Sequence, residues 1–360
     1  MNTTPLTAPA EMTPCERWMA LLEKRTPDRI PTDIWATDEV YQRLFRDLGC
    51  STYEALWRKL HIDRPRCLGP RALRTQHPDD PEADIWGLRF RNIAYETGEY
   101  RETSHFPLAH VTTVDEVHRF RWPDPAEVDY TAITDAVTQD DGYRILQAGG
   151  YEPFLRYCQM RGLEQGFEDL MLAPDLADAI LGHLFDFHYE YNRRIFEAGQ
   201  GRIKVTYVAE DLGGQTGPLM GLHTYRRYLR ENQRKMVELA HRHGVHVMYH
   251  TDGAARTFLP DLIDYVGIEV LNPIQWRCPG MERDGLVRDF GARVGFHGSI
   301  DNQQTLPFGT PDDVAAEVRE SIDLYAGARW ICAPCHNLQA VSPTANIVAL
   351  YDAIHQYGKR

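Results

Sequence analysis

After Asp141 the chain alternates between short apolar runs and longer stretches in which apolar residues recur every three or four positions. The short runs are YRILQA (143–148), IKVTYVA (203–209), VHVMYH (245–250), YVGIEVLN (265–272), RVGFHG (293–298) and RWICAP (329–334). Rich in Val and Ile, they predict buried strands. Helical periodicity fills 174–198, 222–243, 281–291, 311–325 and 343–357. At the fourth of these, Thr310-Pro311 supplies an N-cap and a proline at the first helical position. Strands alternating with amphipathic helices predict a parallel sheet covered by helices. Together with two earlier strands, the four strand–helix units of the C-terminal part suit a closed (β/α)8 barrel, with a doubly wound sheet as the alternative.

The opening ten or so residues read as a frayed arm. Thr13-Pro14-Cys15-Glu16 then spells a capping box for a helix running to about Lys24. RIPTDIW (29–35) predicts a first buried strand, and helical patterns follow over 38–48 and 51–60. Between Arg64 and Pro125, seven prolines break every period, yet many aromatics are retained. That combination predicts an inserted loop-and-hairpin region and not a free linker. The expected organisation is an arm and helix over 1–28, then one barrel over 29–360 with an insertion at about 64–125.

Composition narrows the function classes. At 360 residues, 25% charged and 43% hydrophobic, the chain is an ordinary globular one. Its net charge of −13 argues against a nucleic-acid or anionic-membrane binder. No apolar run approaches membrane-spanning length, and the N-terminal stretch lacks the basic and apolar regions of a signal peptide. Seven scattered cysteines, an odd number, fit a reducing compartment better than a disulfide framework. A cytoplasmic protein is the expectation. Neither a dinucleotide-binding nor a P-loop glycine motif follows any strand.

In a barrel the chemistry gathers where strands end. The run at 203–209 leads into Glu210-Asp211 and the flexible LGGQTGP, which includes Gln215. The next ends at His250, followed by Thr251, Asp252 and Gly253. Asn272 and Gln275 follow on the third, and HGSID brings His297 and Asp301. The last delivers Cys332, Cys335, His336 and Asn337. His250 and Asp252, two apart at a strand end, share a direction, and with His336 and Glu210 they make a converging set of ligand type. The residues alone leave two readings open: a catalytic metal site, or a metal-free polar site with Glu210 or Asp211 as base. Although Cys332-Ala333-Pro334-Cys335-His336 matches the c-type haem pattern, its cysteines end a buried strand and no export signal accompanies them.

The ordered strings AEDLGGQTGP, HTDG, LNPIQ, FHGSID, LPFGTPDDVAAEV and CAPCHNLQAVSPTANIVAL resemble the uroporphyrinogen decarboxylase superfamily, and more closely its methyltransferase-type branch. MTPCERWMALLEKRTPDRIPTDIW and ADIWG match that branch as well. The resemblance implies a (β/α)8 barrel. Decarboxylases of the superfamily grip substrate propionates with an arginine-rich loop after the first strand. Here that place reads DIWATDEVYQRL, with no arginine before Arg43. The methyltransferases hold zinc with a His-x-Cys and a final Cys, and so generate a thiolate that takes a methyl group from a corrinoid. By resemblance, His250 matches the His, Asp252 replaces the first Cys and His336 falls at the last Cys, with Cys335 one residue off. The implied function is metal-dependent methyl transfer, with zinc or another divalent ion held by His250, Asp252, His336 and Glu210. Glu210, Asp211, His336 and Asn337 are the expected catalytic residues, and Gln215, Asn272, Gln275 and Asp301 the expected substrate contacts. The corrinoid would arrive on a partner protein, and a homodimer is compatible with the family. The rival reading is a metal-independent decarboxylase or lyase acting on a carboxylic acid.

Overall fold

The computed structural model describes residues 11–95 and 98–360. Seven parallel strands form one sheet in chain order: β1 (Arg66–Leu68), β2 (Leu146–Ala148), β3 (Ile203–Ala209), β4 (His246–His250), β5 (Val270–Ile274), β6 (Gly295–Ile300) and β7 (Trp330–Pro334). The predicted first strand fills the gap between the sheet's two edges. On one side Asp33 N donates to Cys332 O, and Cys332 N donates to Pro31 O. On the other, Asp63 N donates to Thr32 O just before β1. The sheet therefore closes into a (β/α)8-type barrel. This segment pairs through isolated bridges at Thr32 and Ala36 and not through a continuous ladder, because Pro31 has no N–H to give.

Helix Pro14–Leu22 begins with the predicted capping box, Thr13 and Glu16 bonding reciprocally. It seals one end of the barrel. Trp18, Leu21 and Leu22 pack against Ile145, Val205, Met248, Val270 and Ile331, at or near the starts of their strands. Two residues further along, the inward positions turn polar: Tyr207 follows Val205, His250 follows Met248 and Asn272 follows Val270. Since strand side chains repeat every second residue, an apolar floor and a polar layer above it share one interior. A larger apolar core fills the space between the strands and the outer helices.

Three expectations need correction. Residues 66–68 are a barrel strand, so the insertion cannot begin at 64; Pro65 and Pro70 hid this short run. The remainder of that region holds a hairpin (Arg89–Tyr95 with Gly98–His105) and a short helix (Val114–Arg119). The strand expected over 265–272 starts at Val270, because Asp261–Val266 is helical and Gly267, at φ 88°, ends that turn. The helix expected over 222–243 is two, Leu222–Tyr228 and Arg230–Arg242. Among the described residues, no helix is long and apolar enough to cross a membrane.

Closure is fastened by a buried carboxylate. Asp63 accepts from Arg17 Nη1 at 2.6 Å, from Arg29 Nη1 at 2.6 Å and from Thr32 N at 3.0 Å. It ties the sealing helix, the first segment and the approach to β1 together. Asp63→Ala leaves Arg29 without its close carboxylate and Arg17 with Asp28 alone, and is expected to cost about 3–5 kcal/mol, measured by denaturant unfolding. A loss under about 1 kcal/mol, the level of an exposed pair, would contradict this role.

Candidate functional site

At the barrel end opposite the sealing helix, the last residue of β4 and the loops after β4 and β7 bring His250, Asp252 and His336 together. One ligand atom from each lies within 4.8 Å of the other two. His336 Nε2 stands 3.2 Å from Asp252 Oδ2, and His250 Nε2 stands 3.7 Å from it. Asp211, from the loop after β3, adds an oxygen 3.5 Å from His250 Nε2. Metal–ligand bonds of about 2.0–2.2 Å place tetrahedral ligands roughly 3.3–3.6 Å apart, so these separations suit a divalent ion. Asp252 Oδ1 is buried without a hydrogen-bond partner, an acceptor left free for a ligand role. Side-chain exposure rises from 11% at His250 to 40% at His336, so the cluster is open on one side.

The loops that carry the carboxylates touch backbone to backbone. A Cβ on Gly253 would come within 2.5 Å of the Gly213 and Gly214 carbonyl oxygens, and φ at Gly253 is +68°. Only glycine lets the Asp211 and Asp252 loops approach this closely. Gln275 Oε1 accepts from Gly253 N at 2.9 Å and fixes the same turn.

Beneath the cluster runs a directional chain. His250 Nδ1 meets Asn272 Oδ1 at 2.9 Å, which also accepts from the Tyr207 hydroxyl. The Asn272 amide donates to His297 Nδ1, and His297 Nε2 reaches Asp33 Oδ2 at 3.0 Å. Arg64 closes the chain at Asp33 Oδ1, 2.9 Å away. Read from either end it gives one answer: His250 keeps its proton on Nδ1, and Nε2 faces the cluster. Trp35 stacks on the His250 ring, centroids 5.6 Å apart, and limits its rotation.

The charges follow from these contacts. Burial alone would push the Asp33 carboxyl up, but Arg64 and His297 outweigh it and hold it below the usual carboxylate range. The hydrogen bond that the charged form of His250 donates from Nε2 likewise holds Asp211 down against partial burial. Burial disfavours the charged form of His250, yet Asp211, Asp252 and Asn272 together raise its pKa. Beside the cluster, burial pushes the Glu152 carboxyl up, opposed by His250. Glu152 lines a cavity of about 360 Å³ with Arg156, Gln159, His188, Tyr207 and the Gly149-Gly150 turn.

Of the expected site residues, His250, Asp252 and His336 converge, with Asp211 beside them. Glu210 does not join them. Its carboxylate accepts from Phe154 N at 2.8 Å and Leu155 N at 3.1 Å, capping helix Pro153–Arg161, and burial pushes its pKa well up. Asp301 also turns away: it is paired with Arg277 at 2.7 Å and accepts the amides of Gln303, Gln304 and Thr305. Gln215 and Gln275 bond to each other at 3.3 Å beside the Asp252 turn. Asn272 orients His250, and the Asn337 carbonyl accepts from Asn302. Cys335 is buried with its thiol on the Ile274 carbonyl, and burial raises both its pKa and that of Cys332. All seven cysteines are free. Sequence reasoning missed Asp33, Trp35, Glu152, Arg156 and His188. The period of two along β3, β4 and β5 would have found Tyr207, which stands two positions above Val205.

A closed parallel barrel with side chains gathered at the carboxyl ends of its strands defines the architectural class. The chain belongs to the uroporphyrinogen decarboxylase (URO-D) family, whose model matches residues 97–357. A methyltransferase from Methanosarcina mazei is similar in structure at 19% identity, with a TM-score of 0.68, covering 96% of this chain and 99% of that one. At that identity the likeness shows the fold. A D-psicose 3-epimerase from Clostridium cellulolyticum H10 has a TM-score of 0.38 at 12% identity, covering 68% of this chain and 86% of that one. A B12-independent methionine synthase from Shewanella sp. W3-18-1 has a TM-score of 0.34 at 9% identity, covering 74% and 72%. No curated protein sequence matches the chain.

Asn272→Leu removes the partner of two buried imidazole nitrogens. It is expected to cost about 1–3 kcal/mol in denaturant unfolding and to release His250 from its Nδ1–H form, as read by imidazole nitrogen NMR. An unchanged tautomer pattern would show that something else orients the ring.

Proposed function

We propose that this chain is a metal-dependent methyltransferase working with a corrinoid carried on a separate protein. The observation that carries the reading is the His250–Asp252–His336 cluster, with its unpartnered Asp252 oxygen and its oriented His250 Nε2. Family membership and the fold shared with the Methanosarcina methyltransferase support it. Two imidazoles and a carboxylate suit zinc, and manganese or iron(II) are accommodated by the same donors. Bound there, a divalent ion supplies Lewis acidity that stabilises the anionic form of a methyl acceptor.

The chain's own side chains do the rest. His250 and His336 present Nε2 atoms, with His250 held by Asn272. Asp252 offers both carboxylate oxygens from a turn that Gln275 and Gly253 fix. Asp211, ionised and half exposed, is placed as a fourth donor or as acceptor of the proton that the methyl acceptor gives up. Glu210 takes neither role in this reading. Tyr207 and Trp35 wall the cluster off on the barrel side, while the open side admits the methyl donor. Seven unpaired thiols fit a reducing, cytoplasmic setting.

Metal analysis of purified protein tests the reading. Near-stoichiometric divalent metal is expected in the natural protein and in Glu210→Gln, and its loss in both His250→Ala and His336→Ala. Metal-free protein whose activity survives chelation would sink the proposal and favour the carboxy-lyase reading. Asn272→Leu should retain the ligands yet bind metal about 10–100-fold more weakly, the usual effect of losing the partner that orients a ligating histidine. Competition with a chromogenic chelator measures this.

A further inference from the structure

The cavity beside the cluster holds one charged group that the protein leaves without a close partner. The Arg156 guanidinium lies 5.3 Å from the centre of the Trp86 ring. Among the described residues it has no hydrogen bond, and no carboxylate stands within 4.0 Å of it. Asp84 and Glu152 are the carboxylates near enough to influence it. Asp84, however, spends its Oδ1 on the Trp86 and Leu88 amides. Burial works against the Arg156 charge and lowers its pKa. A half-buried cation that the fold does not neutralise is costly, and it signals a partner that arrives from outside.

The ring of His188 walls the same cavity. It is stacked on Trp86 at 5.7 Å, and both its nitrogens are buried. Burial pushes its pKa down to about 3. It therefore stays neutral and serves as wall, its nitrogens sealed away from the cavity that Arg156 lines. Around these two, Tyr191, Tyr207 and Leu155 supply apolar and aromatic wall. A volume of about 360 Å³ lies at the small end of ligand pockets, enough for a metabolite-sized acid.

We propose that this cavity binds a small organic carboxylate, with Arg156 as its counterion. A guanidinium fork matches a carboxylate in shape as well as charge. Glu152 lines the same cavity and is close enough to His250 and Asp211 to feel their charges, so the cavity adjoins the cluster. As the substrate class of the proposed transferase this rests on that reading; the carboxylate binding itself does not.

The test uses the full chain stripped of metal by chelation, so that its outcome is separate from that of metal analysis. Benzoate and succinate are compared with benzamide and succinamide by calorimetric titration. At least one carboxylate is expected to bind about tenfold or more tightly than its amide. That preference should vanish in Arg156→Gln and persist in part in Arg156→Lys. Each variant is checked for an unchanged circular dichroism spectrum, and reloaded Arg156→Gln for full metal content. If neither acid binds better than its amide, or the preference survives in Arg156→Gln, the assignment is overturned.

Discussion

Closing the sheet is the constraint on which the rest of this structure depends. Seven parallel strands become a barrel only because residues 30–36 fit between β7 and the approach to β1, bonded at Cys332 on one side and at Asp63 on the other. Proline at position 31 weakens that strand as a ladder, so side chains take over: Asp63 collects Arg17, Arg29 and the Thr32 amide. The residue after Thr32 is Asp33, and closure points it into the interior against His297. From there the hydrogen bonds leave one arrangement, through Asn272 to His250. A feature of topology thus sets which nitrogen of a histidine, on a strand far along the chain, faces the site.

The same closure explains why the interior can be polar at one level. An apolar floor formed by Trp18, Leu21 and Leu22 against Val205, Met248 and Val270 keeps water out from below. Above it, Tyr207, His250, Asn272, His297 and Asp33 satisfy one another, and Arg64 balances the Asp33 charge. A half-satisfied network at that depth would be worse than an apolar one. Against this background the exceptions stand out: Asp252 Oδ1 is buried without a partner, and Arg156 lacks a close counterion. Both belong to the loop end of the barrel, where a ligand can supply what the protein does not.

Much of this was legible in the chain. Strand and helix alternation gave the barrel, and reading only strand ends picked out His250, Asp252 and His336 before any geometry was known. What misled was direction. Glu210 and Asp211 are neighbours, and the sequence does not say which turns inward. The structure sends Glu210 to the amide end of helix Pro153–Arg161, a good resting place for a carboxylate, and leaves Asp211 to the cluster. β1 was hidden because three residues between prolines carry no periodic signal. Glu152, Arg156 and His188 were hidden for a different reason: each belongs to a segment whose pattern is fully explained by packing. Only the absence of partners, a property of three dimensions, sets them apart.

The donor set itself carries a chemical consequence. One imidazole and two thiolates, the set implied by resemblance to thiol-directed relatives, bring two negative charges to a divalent centre. His250, Asp252 and His336 bring one. A centre held by this set keeps more of its positive charge for whatever occupies the open position, and stabilises a bound anion more strongly. Oxygen and nitrogen donors are also harder than sulfur, which favours hard acceptors over soft ones. Asp211 moderates this, since its ionised carboxylate sits 3.5 Å from His250 Nε2 and can restore the second charge. Whether it ligates or takes a proton decides how acidic the site is. On the proposed reading, the exposure of Asp211, greater than that of Asp252, suits it to the proton-accepting role, while Asp252 on its glycine turn suits that of a fixed donor.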